Sequence, residues 1–325
     1  WLPVVIELSA PHTVQDLVAR ASAWLRIPRV FYDCARSTAV PDTLRFFSAR
    51  VRPEFFRQLE PGKALHELVN RVELGLPVHR ATSVASAQQQ DQSRRWPFCS
   101  RPAPVESALV LGLIDDGLAL AHQHFLTAAG TTRVAYYWRQ DGYGQGLRPA
   151  NMGYGREFTA TRINTALAEC TDAAGQIDEA AVCADLGLST IGRLWVGGRT
   201  QFHALDTSVS HGTHVMDLAA GPYDALARIS NPPNDLDAPP SWHKAADAAS
   251  TAPIVAVQLD YRTVEDTSGG SMGVHILDAL IYILSRCKPD AEVVVNISFG
   301  ALAGPHDGGA LLERAMDDLI EASAG

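Results

Sequence analysis

The chain has 325 residues, 46% hydrophobic and 19% charged, with a formal net charge of -9; that is enough apolar material for one large domain or two smaller ones. The acidic balance argues against nucleic acid or an anionic membrane surface as the main partner, since both reward basic charge, and no apolar run approaches the ~20 residues that span a bilayer. Its five cysteines (Cys34, Cys99, Cys170, Cys183, Cys287) include no C-x-x-C pair and read as neither a disulfide framework nor a zinc site.

Residues 4–8 read as a strand, 14–25 as an amphipathic helix, 44–51 as a strand, 53–59 as a short helix and 69–74 as a strand, with a further strand near Val30 left open. That β-α-β-β-α-β-like order predicts a small α+β, ferredoxin-like domain over residues 1–80. Between 81 and 104 the sequence turns to Gln88, Gln89 and Gln90, the pair Arg94 and Arg95, and prolines at 102 and 104. Such composition buries too little apolar area to order itself and predicts a linker.

From residue 105 the pattern becomes α/β. Residues 109–114 are continuously apolar, as expected of a parallel strand covered on both faces. Asp115 stands at its C-terminal end, the sheet edge where ligands and catalytic groups collect, although an Asp after a buried strand is common in α/β proteins generally. Residues 130–207 read as an insertion, with a Gly-rich loop at 141–146 and helices near 158–169 and 177–186. Gly142 and Gly144 do not open a helix after a strand, so a phosphate cradle is not predicted. Ser210 is placed to cap a helix running from about Gly212 to Gly221, with His211 at its start. A strand at 253–259, a helix at 273–287, a strand at 292–298 and an amphipathic run at 310–320 follow. The alternation predicts a doubly wound parallel sheet.

Two motifs carry chemistry. Leu113-Ile114-Asp115-Asp116-Gly117 supplies a carboxylate, and Ser210-His211-Gly212-Thr213-His214-Val215 supplies an imidazole, with His211 96 residues after Asp115. A metal site using His211, His214 and Asp115 is an alternative for the same residues, but the Glu of H-E-x-x-H is missing. Gly269-Gly270-Ser271-Met272-Gly273 fits G-x-S-x-G. A nucleophile elbow needs a tight strand-to-helix turn, however, and the preceding strand ends near Leu259, so Ser271 is expected to cap a helix rather than attack a substrate.

Asp before His is the order of a subtilisin-type triad, and with the His-Gly-Thr-His-Val motif the chain resembles the subtilases, the subtilisin-like serine proteases. Residues 46–51, 54–59 and 69–73 are similar to the strand, helix and closing strand of the inhibitor-type propeptide of that family. The resemblance implies a serine endopeptidase acting on polypeptides, with Asp115 orienting the base and Asp116 as its rival. His211 is the general base and His214 a packed structural residue. Ser298, Phe299 and Gly300 pair with an extended substrate, and Ser268, Gly269 and Gly270 form the opposite wall of the cleft. It also implies that residues 1–80 act in cis as folding assistant and inhibitor. Residues 105–325 then correspond to the N-terminal part of a catalytic domain. The chain opens at Trp1 and closes at Gly325 directly after a helix, so the nucleophilic Ser and the oxyanion Asn are expected beyond it, and the fragment alone is expected to be inactive. Loss of the serine costs about 10⁶-fold in turnover. No cofactor is expected; calcium, frequent in the family, has no recognisable ligand loop, and localisation is left open. A catalytically dead, peptide-binding relative is the alternative function.

Overall fold

A computed structural model of the chain describes residues 1–33, 38–41, 43–75, 102–141, 146–149, 151–188, 195–196, 199–200, 211–222, 247–260, 263–264, 266, 269–301 and 304–323. The predicted linker up to Arg101, the Gly-rich loop at 142–145, Ser210, Ser268, Cys34 and Cys99 lie outside the described residues.

The N-terminal part runs β1 (Leu2–Leu8), α1 (Val14–Ala21), β2 (Leu25–Arg26), α2 (Val30–Asp33), β3 (Phe46–Val51), α3 (Pro53–Arg57) and β4 (Val69–Leu74). Its sheet has the order β2-β3-β1-β4 with every pairing antiparallel, the arrangement of a ferredoxin-like layer. Thr13 starts α1 with a capping box: its hydroxyl accepts the Asp16 N–H at 3.3 Å while Asp16 accepts the Thr13 N–H at 2.9 Å. The helix stops at Ala21 rather than Leu25, because Leu25 and Arg26 form the short edge strand β2; Val30 begins a helix, not a strand. Two residues are too few to display a period, so this strand left no pattern to read.

The second part contains β5 (Leu109–Asp115), β6 (Val134–Arg139), β7 (Arg156–Thr159), α4 (Ala160–Glu169) and α5 (Glu179–Asp185). A two-stranded ladder of β8 (Trp195–Val196) and β9 (Arg199–Thr200) follows, then α6 (His211–Ala220), α7 (Ala248–Thr251), β10 (Ile254–Gln258), α8 (Met272–Leu284), β11 (Glu292–Ile297) and α9 (Leu311–Ser323). The main sheet has the order β11-β5-β10-β6-β7. The first four strands are parallel and β7 is antiparallel, so the sheet is mixed rather than purely parallel. Both β6 and β7 come from residues 130–207, the stretch read as an insertion, and Phe158, expected in a helix, lies in β7.

Alternation along the central strands builds two cores, as a strand's period of two requires. Val110 and Ile114 of β5 and Val255 and Val257 of β10 face α8, α9 and the N-terminal sheet. Leu111 and Leu113, with Ile254 and Ala256, face α4, α5 and α6. The layers are therefore four-stranded sheet, helices α8 and α9, five-stranded sheet, and helices again. Helix α8 is buried on nearly every side because it lies between the two sheets. Among the described residues no helix is long and apolar enough to cross a membrane.

Candidate active site

Parallel pairing brings the C-terminal ends of β5, β10 and β11 to one edge of the main sheet, and Asp115 ends β5 at that edge. The Asp115 side chain is fully buried; its Oδ1 accepts the Asp116 N–H at 2.7 Å and lies 2.8 Å from His211 Nδ1. The His211 side chain, by contrast, is 58% exposed. One oxygen therefore orients the imidazole from beneath while the rest of the ring faces solvent. An ionised Asp115 selects the Nδ1–H tautomer and leaves Nε2 as the free base.

Three residues lock this geometry. Gly212 packs so closely on β5 that a Cβ there would overlap the Asp116 carbonyl oxygen. Gly117 turns the chain away with φ +53°, a conformation that favours glycine. The Thr213 hydroxyl donates to the Gly117 carbonyl at 2.6 Å and accepts the Ala119 N–H at 2.9 Å, lacing the loop after Asp115 to the first turn of α6. The helix then buries Gly212, Met216 and Ala220, a stripe at four-residue spacing, against β5.

Electrostatics follow from burial. Desolvation pushes the Asp115 carboxyl up to about 6, against the opposing pull of the His211 hydrogen bond and the Asp116 N–H. The His211 imidazole is raised above its ordinary value, chiefly by its hydrogen bond to Asp115.

The remaining predicted residues divide. Ile297 of β11 lies opposite Ile114, so Ser298 follows at the level of Asp115, with Phe299 packed on the core and Gly300 exposed. Gly269 sits so close to this segment that a Cβ would overlap that of Ala301, which brings Gly269 and Gly270 beside residues 298–301. Ser271 is buried and opens α8, its N–H donating to Asp266 Oδ2 at 3.2 Å. His214 is exposed, not packed: Met216 and Ala220 take the buried stripe, and three residues of helix turn His214 to the same open side as His211. Nor does His214 join a metal-ligating group, since among the described residues the converging ligands are Asp115, Asp116 and His211. Cys170, Cys183 and Cys287 are free thiols.

Two features escaped the sequence. The Thr213 hydroxyl was invisible because its partners are backbone groups of a loop 94 and 96 residues away. A buried polar cluster between the N-terminal sheet and α8 was signalled by Asp278, the one acidic residue of that helix. Ser48 of β3 donates to Asp278 Oδ1, Tyr154 donates to Oδ2 at 2.6 Å, and His275 stands against the Tyr154 ring.

No protein-family model matches the chain, and no curated protein matches it. Among solved structures, the Clostridium perfringens CspB protease resembles it with a TM-score of 0.36 and 19% identity over 64% of the chain; the chain spans about a third (33%) of that protein's length.

Proposed function

We propose that this chain supplies the acid–base half of a subtilisin-type serine endopeptidase, with His211 as general base and Asp115 as the residue that orients it. The observation that carries the reading is the 2.8 Å contact between a fully buried carboxylate and an imidazole open to solvent, at the C-terminal edge of a largely parallel sheet. In this reading Nε2 of His211 accepts the proton of a serine hydroxyl as that oxygen attacks a peptide carbonyl, then returns the proton to the leaving amine. Asp115 stays ionised, fixes the tautomer and stabilises the imidazolium. The serine is not Ser271, which is buried at a helix start. The substrate lies extended along residues 298–300, adding a strand by backbone pairing, with Gly269 and Gly270 across from it.

The N-terminal sheet acts in cis as a propeptide-like unit. Supporting this role, Gly75, just past β4, lies against Val274 at the start of α8, so the chain leaves the sheet beside the loop that carries Gly269. A serine-directed fluorophosphonate probe on the full-length gene product tests the reading. The wild type is expected to label and His211→Ala to lose nearly all labelling; undiminished labelling of the variant would overturn the assignment of the base.

A further inference from the structure

Asp116 follows Asp115 directly and adds a second carboxylate to the pair of Asp115 and His211, making a three-residue group. Asp115, Asp116 and His211 each offer a ligand atom, all within 4.8 Å of one another. A second, independent observation points to a ligand: Asp115 Oδ2 and Asp116 Oδ1 are both buried and have no hydrogen-bond partner, although Asp115 is wholly enclosed. Buried carboxylate oxygens are costly to leave unmatched, and two acidic groups side by side compound the cost.

We infer that Asp115, Asp116 and His211 form a reversible binding site for a divalent transition metal, zinc being the best match, and that an occupied site disables His211 as a base. The donor set argues for the class of metal: an imidazole nitrogen with two carboxylates suits zinc, whereas calcium and magnesium prefer an all-oxygen shell. Zinc bonds of about 2.0–2.2 Å require the three atoms to draw inward from their present spacing. The exposed His211 ring and the half-buried Asp116 have room to do so. The Asp115 hydrogen bond holds the proton on His211 Nδ1, so binding there requires the other tautomer: the proton moves through solvent to Nε2 as the metal–nitrogen bond forms, and Nε2–H can no longer accept a proton. Three protein ligands leave the fourth position to water, so the ion exchanges with solvent rather than being locked in place. Binding rests on the three side chains alone; the inhibitory consequence rests on the serine endopeptidase reading.

The test titrates zinc into the full-length gene product in competition with a chromophoric zinc indicator, and repeats the titration on His211→Ala, Asp116→Asn and the control His124→Ala, whose ring already pairs with Asp217 at 2.7 Å. Wild type and control are expected to bind one equivalent. The other two variants should bind more than about tenfold more weakly, since even outer-shell changes at zinc sites cost about 10–100-fold. Unchanged affinity in either of them, no retained zinc in the wild type, or loss confined to the His124 variant would overturn the site. Fluorophosphonate labelling with zinc and after chelation separates the two readings. Labelling blocked by zinc and restored by chelator supports the inhibitory role, and labelling that persists at full zinc occupancy overturns it. Binding without labelling under any condition keeps the site and defeats the serine mechanism.

Discussion

Asp115 controls His211 through a single oxygen, and the consequences can be measured on the histidine itself. The raised His211 value comes chiefly from that hydrogen bond, so Asp115→Asn is expected to lower it, read by NMR as a move of the imidazole titration midpoint to lower pH. The sign is fixed by linkage: a raised histidine stabilises the fold fully below its unfolded value of 6.5 and loses that contribution as pH rises through its folded value. In a competent triad the same substitution should cost about 10⁴-fold in turnover, because the amide holds the wrong tautomer. Thr213→Val removes the hydroxyl's bonds to the Gly117 carbonyl and the Ala119 N–H and should cost about 1–3 kcal/mol by denaturant unfolding. Asp115 and His211 were legible because a carboxylate after an apolar run and an imidazole at a helix start are local signals. Thr213 was not, because its role exists only once two distant segments meet.

Helix α8 carries His275 and Asp278 into the layer between the sheets, and they work against each other. Burial lowers His275 to about 4, so its contribution is present above 6.5 and is lost as pH falls toward 4. Burial raises Asp278 to about 6, so its contribution is present below 3.8 and is lost as pH rises through 6. Each is worth on the order of 2–3 kcal/mol, and together they flatten the profile. Thermal unfolding from pH 4 to 6.5 should expose this: Asp278→Asn becomes less stable on acidification, and His275→Phe more stable. A second clamp joins β1 to α9, where the fully buried Glu7 meets Arg314 at 2.5 Å and Arg45 at 3.1 Å. Arg314→Ala leaves that carboxylate with the half-exposed Arg45 and should cost about 2 kcal/mol. Faster limited proteolysis of the N-terminal sheet would report the same loss. None of these pairings was readable in advance, since each joins side chains far apart in the chain.

The alternation of strand and helix from residue 105 onward was enough to anticipate a largely parallel sheet, because three of its strands, β5, β10 and β11, carry the dense apolar runs that such strands require. β6 and β7 were missed: both lie in residues 130–207, read as an insertion, and β7 is short, with a single buried residue, Phe158, among Arg156, Glu157 and Thr159. β7 forms one rim of the sheet, where Glu157 exchanges backbone hydrogen bonds with Leu147 on the outer side. The opposite rim is β11, which among the described residues pairs on one side with β5 and holds Val294 at 50% exposed. Such an edge invites a further strand, and Val294→Lys is expected to reduce concentration-dependent light scattering. Two copies that meet edge to edge through β11 satisfy each other across a two-fold axis, so this contact by itself joins a pair and does not propagate.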